Sequence, residues 1–354
     1  KHSPGLLKEV VCLSDCFSRE GVEVTLHLRK DYKKAFSQQF SMSNSHVDYI
    51  GSRLSDITFF FSSDWVKSSL GLVFYNSHPW NLIILMWFFL MDKRPLRILV
   101  LHEPLKKNKI RNFGIFAIKV FIVEWFNKLQ SWLCTDIIVL SPYAKVLVES
   151  SFGYNPKTNI HEARILLDPL NVDPDILVKE RKYASFIGNI NGTKGLGGFY
   201  NLAHYSWANC YNHLFALVTG STLSGKDRVV YDLNNITITQ KSNLSDFEIE
   251  QWMTKSIVVF CLHKSVTQSG VLVECMRTAT PIICVDEDGF QQFVKDSMSL
   301  VPSDYSNHDL IHAIEYTKAN LVSKSKLALL QFNAEFSSEC FTNYYDNLLG
   351  ELKS

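Results

Sequence analysis

Short apolar runs alternate with longer amphipathic stretches along the first half of the chain. Residues 22–28 alternate apolar and polar side chains, which is the pattern of a half-buried strand. Further strands are predicted at Ile57–Phe61, Leu72–Tyr75, Arg97–Leu101 and Asp136–Leu140, with helices at Leu6–Arg19, Asn81–Met91 and about 113–133. Repeated alternation of strand and helix predicts a mostly parallel sheet with helices on both faces. The helix at 81–91 is apolar nearly all round but too short to span a bilayer, so we expect it to be buried.

A second series of strands and helices begins after residues 168–175, a stretch rich in Pro, Asp and Asn that is predicted to be a linker. Strands are predicted at Tyr183–Ile187, Leu214–Thr219, Ile236–Thr239 and Ile257–Leu262. Ser245 and Glu248 have the spacing of a capping box, in which the two residues satisfy each other's backbone N–H at the start of a helix. These patterns predict a domain at 1–168, a second at 169–330, and a C-terminal helix at 331–354 that packs back on the first domain.

Residues 267–288 combine a polar turn, a short helix and a buried strand. Ser269 is the predicted N-cap, and the helix that follows is apolar except for Glu274. A helix N-terminus presents free N–H groups and a partial positive charge, which suit a phosphate. A carboxylate one turn later suits a ribose diol, because it accepts from two neighbouring hydroxyls. The pattern indicates a nucleotide site, although any α/β domain can offer a polar N-cap and a lone glutamate that faces solvent.

Composition narrows the classes of function. The chain has 354 residues, enough for two domains, and its 46% hydrophobic and 20% charged residues are typical of a globular protein. The net charge of +1 does not favour a nucleic-acid partner. Eight scattered cysteines without a CxxC pair predict buried thiols in a reducing compartment rather than disulfides or a zinc site. No signal peptide is recognisable, so we expect a cytoplasmic location.

Two further features bear on ligands and location. His78 and the pair His102-Glu103 follow the carboxyl ends of predicted strands, where ligands bind in open α/β sheets. A loop histidine without a function is the alternative for His78.

Four basic residues between positions 106 and 111 precede a long helix rich in Phe, Ile and Trp. This combination suits an anionic membrane surface, and the alternative is a core-facing helix with a wet edge.

Three stretches of the second half resemble, in their order and spacing, the nucleotide-sugar domain of GT-B glycosyltransferases, specifically glycosyltransferase family 4. They are FIGNINGTKGL at Phe186–Leu196, TITQKSNLSDFEIEQWMTKSIVVFCL at 237–262 and SGVLVECMRTATPIICVDEDG at Ser269–Gly289. In the first half, LHEPLKKNKI, a long helix and DIIVLSPYAKVLVE resemble the acceptor domain of the same enzymes. The resemblance implies an α/β fold of the GT-B type, with two Rossmann-like domains whose parallel sheets face a central cleft. The first domain would bind the acceptor, and the second the donor.

The resemblance also implies roles in binding the donor. Glu274 would hold the ribose hydroxyls, Lys194 would contact the diphosphate as a point charge, and Gly188 would let the backbone approach that diphosphate. The N–H groups of a polar turn would meet the phosphate or the sugar. This turn consists of Gln268, Ser269 and Gly270.

On the acceptor side, the resemblance implies that His102 sits near the anomeric carbon, with Glu103 beside it. His78, a candidate from its position after a strand, is the second catalytic candidate. It implies transfer of a hexosyl group, with retention of configuration, to a glycan or polyprenyl-linked acceptor in surface polysaccharide synthesis, such as O-antigen or capsule. The enzyme would be peripheral at the inner face of the cytoplasmic membrane. No cofactor is expected, because the nucleotide sugar is a substrate, and no metal is expected.

The sequence departs from the family at two positions. Members often carry two glutamates separated by seven residues, and this chain has Val266 at the first position. Where a basic residue often follows the first glycine, the chain has Asn189. A nucleotide-sugar epimerase on the same fold and a non-catalytic glycosyltransferase-like binding protein are therefore alternatives. The triplet at 286–288 has DxD spacing, which can bind a divalent metal, but it follows the donor-site strand, where the family pattern needs none. The family's first strand and glycine loop would lie before Lys1.

Overall fold

A computed structural model describes residues 4–29, 46–50, 71–75, 79–90, 96–101, 115–151, 153–190, 194–223, 234–241, 244–263 and 266–353. It divides the chain into two compact units, one formed by Lys1–Leu167 with Ser338–Ser354 and the other by Asp168–Ser337. The predicted strand Ile57–Phe61 lies outside the described residues.

The first unit is built from parallel strands and the helices between them. Its strands are β1 (Thr25–Arg29), β2 (His46–Ile50), β3 (Gly71–Tyr75), β4 (Leu96–Leu101), β5 (Asp136–Val139) and β6 (Asn159–Glu162). The helices that accompany them are α1 (Pro4–Arg19), α2 (Pro79–Phe89), α3 (Ile115–Ser131) and α4 (Pro142–Ser150). β1 pairs with β2, and β3 to β6 form one sheet in chain order, with every pairing parallel.

β1 begins three residues later than the alternating pattern predicts. The N–H of Gly21 donates to the carbonyl of Ser18 and the N–H of Val22 to that of Phe17, both at 3.1 Å. Gly21 has a φ of +82°, so these bonds form the glycine-dependent turn that commonly ends a helix. Val22 therefore closes the end of α1, and strand pairing starts at Thr25.

α2 is buried on one face only, which corrects the prediction of a buried helix. Ile84, Leu85 and Phe88 are buried, whereas Trp87 is 41% exposed and Leu90, directly after the helix, is 76% exposed. The sequence of α2 contains no polar stripe that would mark an outward face, and hydrophobicity alone therefore misses the exposure. No helix among the described residues is long and apolar enough to cross a membrane.

A buried carboxyl group lies between α1 and β3. Oε1 of Glu9 accepts a hydrogen bond from the hydroxyl of Tyr75 at 3.0 Å, and Glu9 is 5% exposed. Burial raises the pKa of Glu9 from 4.5 to about 8, against the opposite effect of the Tyr75 hydrogen bond. Because the folded unit holds this proton more tightly than the unfolded chain does, the stabilisation is complete below pH 4.5 and is lost as the pH rises through about 8.

Replacing Glu9 by glutamine should remove this pH dependence. Between about pH 5 and pH 8, the free energy of unfolding of the wild type should fall relative to Glu9→Gln by roughly 1.4 kcal/mol per pH unit. Urea unfolding at both pH values measures the difference. Glu23→Gln, at an exposed glutamate of the same unit, is the control. Equal urea midpoints for the wild type and Glu9→Gln at the higher pH would contradict the assignment.

The second unit holds one six-stranded parallel sheet among its described residues. Its strands are β7 (Tyr183–Ile187), β8 (Leu214–Thr219), β9 (Ile236–Gln240), β10 (Ser256–Cys261), β11 (Ile282–Val285) and β12 (Met298–Val301). Its helices are α5 (Pro174–Leu177), α6 (Leu196–Ala208), α7 (Asp246–Thr254), α8 (Gly270–Arg277), α9 (Asp288–Gln291), α10 (Asn307–Ala319) and α11 (Leu321–Glu335). The chain continues into α12 (Phe341–Lys353), which belongs to the first unit.

The strand order of the second unit is β12-β11-β10-β7-β8-β9. The chain starts in the middle at β7, adds β8 and β9 on one side, and returns to place β10 on the other side of β7. In open α/β sheets such a reversal is a topological switch point, and ligands bind there at the carboxyl ends of the strands. The ring of Phe199 from α6 packs beneath β7, β8 and β10, 5.7–5.8 Å from the rings of Phe186, Phe215 and Phe260.

Local signals fix where the helices of this unit begin. The predicted capping box at α7 is present: Ser245 Oγ accepts from the N–H of Glu248 at 3.2 Å, and Glu248 accepts from the N–H of Ser245 at 2.8 Å. Ser306 and Asp309 form a second capping box at α10. Backbone N–H groups at the starts of both helices are thus satisfied by side chains three residues apart.

Seven of the eight cysteines are buried and all eight are free thiols, with Cys210 exposed.

Candidate functional site

α8 begins at the predicted N-cap. The side chain of Ser269 accepts from the N–H of Leu272 at 3.4 Å, and its backbone is extended. Gln268 and Ser269 are each 8% exposed, whereas Gly270 is exposed. The first turn of a helix has N–H groups without partners inside the helix and carries a partial positive charge. This end of α8 therefore suits an anion.

The loop after β7 lies against this first turn. Gly188 has a φ of +132°, and a Cβ at this position would lie 3.6 Å from Cγ2 of Val271. The N–H of Gly188 donates to the carbonyl of Val218 at 3.0 Å, and the N–H of Ile190 donates to the Ser221 hydroxyl at 2.9 Å. The glycine loop is thus tied to β8 on one side and reaches α8 on the other, where its backbone can approach a bound group closely.

Gly195, the residue after Lys194, packs against the end of β10. Gly195 has a φ of +76°, and a Cβ there would lie 2.2 Å from the carbonyl oxygen of Leu262, which follows β10 directly. Only glycine fits both the conformation and the space. The contact places Lys194 beside the segment that leads from β10 into α8. The charge of Lys194 acts on His263, two residues past β10, so this positive side chain lies near the carboxyl end of that strand.

Residues directly before α8 are held by α9 and the residue that follows it. A Cβ at Gly289 would lie 1.8 Å from the carbonyl oxygen of Val266. Nε2 of Gln292 donates to the carbonyl of Thr267 at 2.9 Å and to that of Gly289 at 2.7 Å. These contacts hold Val266 and Thr267 in place just before the start of α8.

Glu274 is positioned by a buried arginine in the last turn of α8. Nε of Arg277 donates to Oε2 of Glu274 at 2.8 Å, and Nη2 of Arg277 contacts Glu250 of α7. The same guanidinium donates to the carbonyl of Asp168 at 3.2 Å. Burial disfavours its charge, but the two carboxylates outweigh burial and raise the pKa of Arg277. The side chain of Glu274 is 18% exposed, so one carboxylate is fixed in orientation without being sealed from solvent.

His263 is a site residue that the sequence analysis missed. It lies two residues beyond β10, next to Leu262, and its ring is 5.8 Å from that of Phe290. Burial, and after it the charge of Lys194, lower the pKa of His263 to about 4, so the ring is neutral at pH 7. The rule that directed attention to His78 and His102, a histidine just past a strand, applies equally to His263.

The remaining predicted positions fall into two groups. His78, His102 and Glu103 lie outside the described residues. Of the two departures from the family pattern, Val266 is 8% exposed and Asn189 is exposed.

The acidic triplet at 286–288 is engaged in local structure. Oδ1 of Asp286 accepts from Nε2 of Gln291 at 2.8 Å, and Glu287 is the N-cap residue of α9. Within the described ranges, no group of three or more His, Cys, Asp and Glu side chains is arranged to hold a metal ion.

Comparison with known proteins gives a match in structure but not in sequence. No protein-family model matches the sequence, and no curated protein does. Anabaena HepE, solved with UDP, aligns with a TM-score of 0.68 and 13% identity over 99% of this chain and 97% of its own. WaaG, described as a glycosyltransferase involved in lipopolysaccharide biosynthesis, aligns with a TM-score of 0.64 and 10% identity over 94% and 92%. The chain has the fold of the GT-B glycosyltransferases.

A further neighbour, TarM, is a longer protein. It aligns with a TM-score of 0.61 and 12% identity over 84% of this chain, which spans 58% of the TarM chain. S. aureus TarM has been solved as a mutant in complex with UDP, and HepE also with UDP-glucose. At these identities the likeness is one of fold, and it confirms the predicted α/β architecture with parallel sheets.

Proposed function

We propose that this protein is a glycosyltransferase that moves a hexosyl group from a nucleotide-sugar donor to an acceptor. The observation that carries the proposal is the convergence of Gly188, Lys194 and the start of α8 at the switch point, with Glu274 one turn further on. Lys194 and the start of α8 suit a diphosphate, and the Glu274 carboxylate suits the ribose next to it. The nucleotide ligands of HepE, on the same fold, support such a donor.

The residues of the site supply charge stabilisation rather than a nucleophile. Lys194 and the positive end of α8 would stabilise the negative charge that develops on the departing nucleoside diphosphate. Glu274, aligned by Arg277, would fix the ribose and so position the sugar. We propose membership of glycosyltransferase family 4, with retention of configuration and without a metal. His102 would orient the reacting groups beside Glu103, with His78 second.

The acceptor we propose is a glycan or polyprenyl-linked glycan of a surface polysaccharide such as O-antigen or capsule. The printed description of WaaG, which acts in lipopolysaccharide biosynthesis, supports this class. A polyprenyl anchor would keep the acceptor in the cytoplasmic membrane, so we place the enzyme in the cytoplasm at its inner face. The basic and aromatic sequence of residues 106–133 supports that location.

Acceptor-dependent release of nucleotide tests the activity. Purified protein is mixed with UDP-glucose or UDP-N-acetylglucosamine, with and without a lipid extract that contains polyprenyl-linked glycans, and UDP is measured. We expect release only with the extract. Lys194→Ala should lower turnover by about 100-fold, because removing one transition-state charge contact costs roughly 3 kcal/mol. Lys182→Ala, at an exposed lysine before the amino end of β7, is the matched control and should leave turnover unchanged.

Two other results would assign the protein differently. Conversion of the donor to an isomer without any extract would identify an epimerase. Binding of UDP without turnover of either donor would favour a non-catalytic binding protein. Val266 and Asn189 motivate this alternative, since both replace charged residues often found in the family.

A further inference from the structure

α2 presents a row of large apolar side chains to solvent. Ile83, Met86, Trp87 and Leu90 are 43%, 51%, 41% and 76% exposed. Their spacing of i, i+3, i+4 and i+7 places them along one side of a helix. No charged residue occurs in α2. A helix at the surface of a globular protein normally turns such a row inward, so the exposure needs an explanation.

The helix α3 also exposes apolar side chains, and in addition it buries polar ones. Phe121, Ile122 and Trp125 are 60%, 46% and 52% exposed. Its polar side chains lie inside instead, as with Glu124 and Asn127, which are 6% and 4% exposed. Both side chains lie near the buried Tyr154, and Oε1 of Glu124 is 3.8 Å from Nζ of Lys128. The polar side of α3 thus faces the interior of the unit, and the aromatic side is left for an external partner.

The helices α2 and α3 pack against each other, and we treat their exposed rows together as one surface, here called the apolar face. At about 200 Å² for each large side chain, seven residues that are roughly half exposed present on the order of 700 Å² of apolar area. Exposed apolar patches on soluble monomers are usually smaller than this, and larger ones mark binding sites.

Charge indicates what covers the apolar face. The sequence of residues 79–133 contains nine lysines and arginines, of which Arg97 is buried, and three aspartates and glutamates, whereas the whole chain has 36 and 35. Exposed tryptophans combined with nearby basic residues suit the headgroup region of an anionic bilayer.

We propose that the apolar face of α2 and α3 is a membrane-binding surface that inserts its aromatic side chains among the headgroups of an anionic phospholipid bilayer. The inference deepens the proposed function, on which it rests for the lipid-linked acceptor, by naming the surface that would bring the enzyme to it. Binding would depend on insertion of the apolar side chains and on attraction to anionic lipid, and salt would weaken the second contribution.

Flotation with vesicles tests the proposal without any donor sugar. The full chain is mixed with vesicles of phosphatidylglycerol and phosphatidylcholine, or of phosphatidylcholine alone, at low and high salt. We expect salt-sensitive flotation with the anionic vesicles. Leu90→Ser/Trp125→Ser should weaken it at least tenfold, because two exposed side chains would no longer insert. The matched control is Leu330→Ser/Trp207→Ser, which alters side chains that are 62% and 51% exposed in the second unit.

Each outcome decides the matter. Flotation that is lost in the first double variant and kept in the control supports the membrane surface. No flotation of the wild type, or equal flotation of both variants, overturns it. A dimer in solution that Leu90→Ser/Trp125→Ser dissociates would also overturn it, and would assign the apolar face to a second copy of the chain. Turnover of UDP-sugars in the assay described above is measured separately, so failure of the surface and failure of the enzymatic proposal are distinguishable.

Discussion

Replacing Arg277 by alanine should lower the free energy of opening of the second unit by about 3–5 kcal/mol, the usual cost of breaking a buried ion pair from one side. Its side chain is 4% exposed and joins Glu274, Glu250 and the carbonyl of Asp168. Alanine leaves two carboxylates facing each other without their shared cation. Hydrogen exchange of amides in β10 and β11 measures the opening free energy, and it should quicken more than about 100-fold.

The control is a solvent-exposed ion pair of the same unit. Lys241 pairs with Glu248 at 2.7 Å, and its side chain is 57% exposed. Lys241→Ala should cost about 1 kcal/mol or less, because water and salt screen such pairs. Arg277→Lys keeps a charge but loses the planar fork, and it should fall between the wild type and Arg277→Ala. If Arg277→Ala is as stable as Lys241→Ala, the buried ion pairs of Arg277 do not stabilise the second unit as proposed.

Replacing Glu274 by glutamine should weaken binding of the nucleotide-sugar donor by about 10- to 100-fold, since hydrogen bonds to a charged acceptor contribute roughly 1.5–3 kcal/mol. Glutamine keeps the shape and one acceptor oxygen for Arg277 but loses the charge that favours the ribose hydroxyls. Isothermal titration calorimetry with UDP and UDP-glucose measures the affinity directly.

Glu250→Gln separates binding from folding. Glu250 is the other carboxylate on Arg277, with a side chain 21% exposed against 18% for Glu274. Both variants should lose similar stability, because each removes one charge from the same ion pair. Only Glu274→Gln should lose affinity for the donor. Equal losses of affinity in both variants would mean that Glu274 acts through the fold and does not touch the ribose.

Local chemistry was the part of this molecule most open to prediction. The Ser245–Glu248 capping box and the Ser269 N-cap depend on residues three apart, so the sequence contains the whole interaction. Buried strands such as β7 and β8 are continuous apolar runs between turns, and they were predicted where they lie. Three short strands, β2, β6 and β12, were not, because four or five residues with mixed polarity carry little periodicity.

Long-range packing accounts for the rest. The order of strands, and hence the switch point between β7 and β10, depends on pairings between segments about 70 residues apart that periodicity does not encode. Arg277 looked like an ordinary basic residue in the last turn of a helix, and its burial between Glu274 and Glu250 follows from how α7 and α8 pack. His263 satisfies the rule that a histidine just past a strand is a site candidate, but the sequence analysis of this region considered only the glycine loop and Glu274. The exposure of α2 could not be predicted because its sequence is apolar on every side.

Hydrogen exchange with and without nucleotide sugar tests the central claim most directly, that the donor binds at the switch point of the second unit. The wild-type protein is incubated with UDP-, GDP-, dTDP- and ADP-sugars in turn. With one of them, amides at 186–190, 194–196 and 266–273 should exchange more slowly, while those of α10 and α11 stay unchanged. Protection confined to other segments, or no protection by any of the four in a folded sample, would contradict the account.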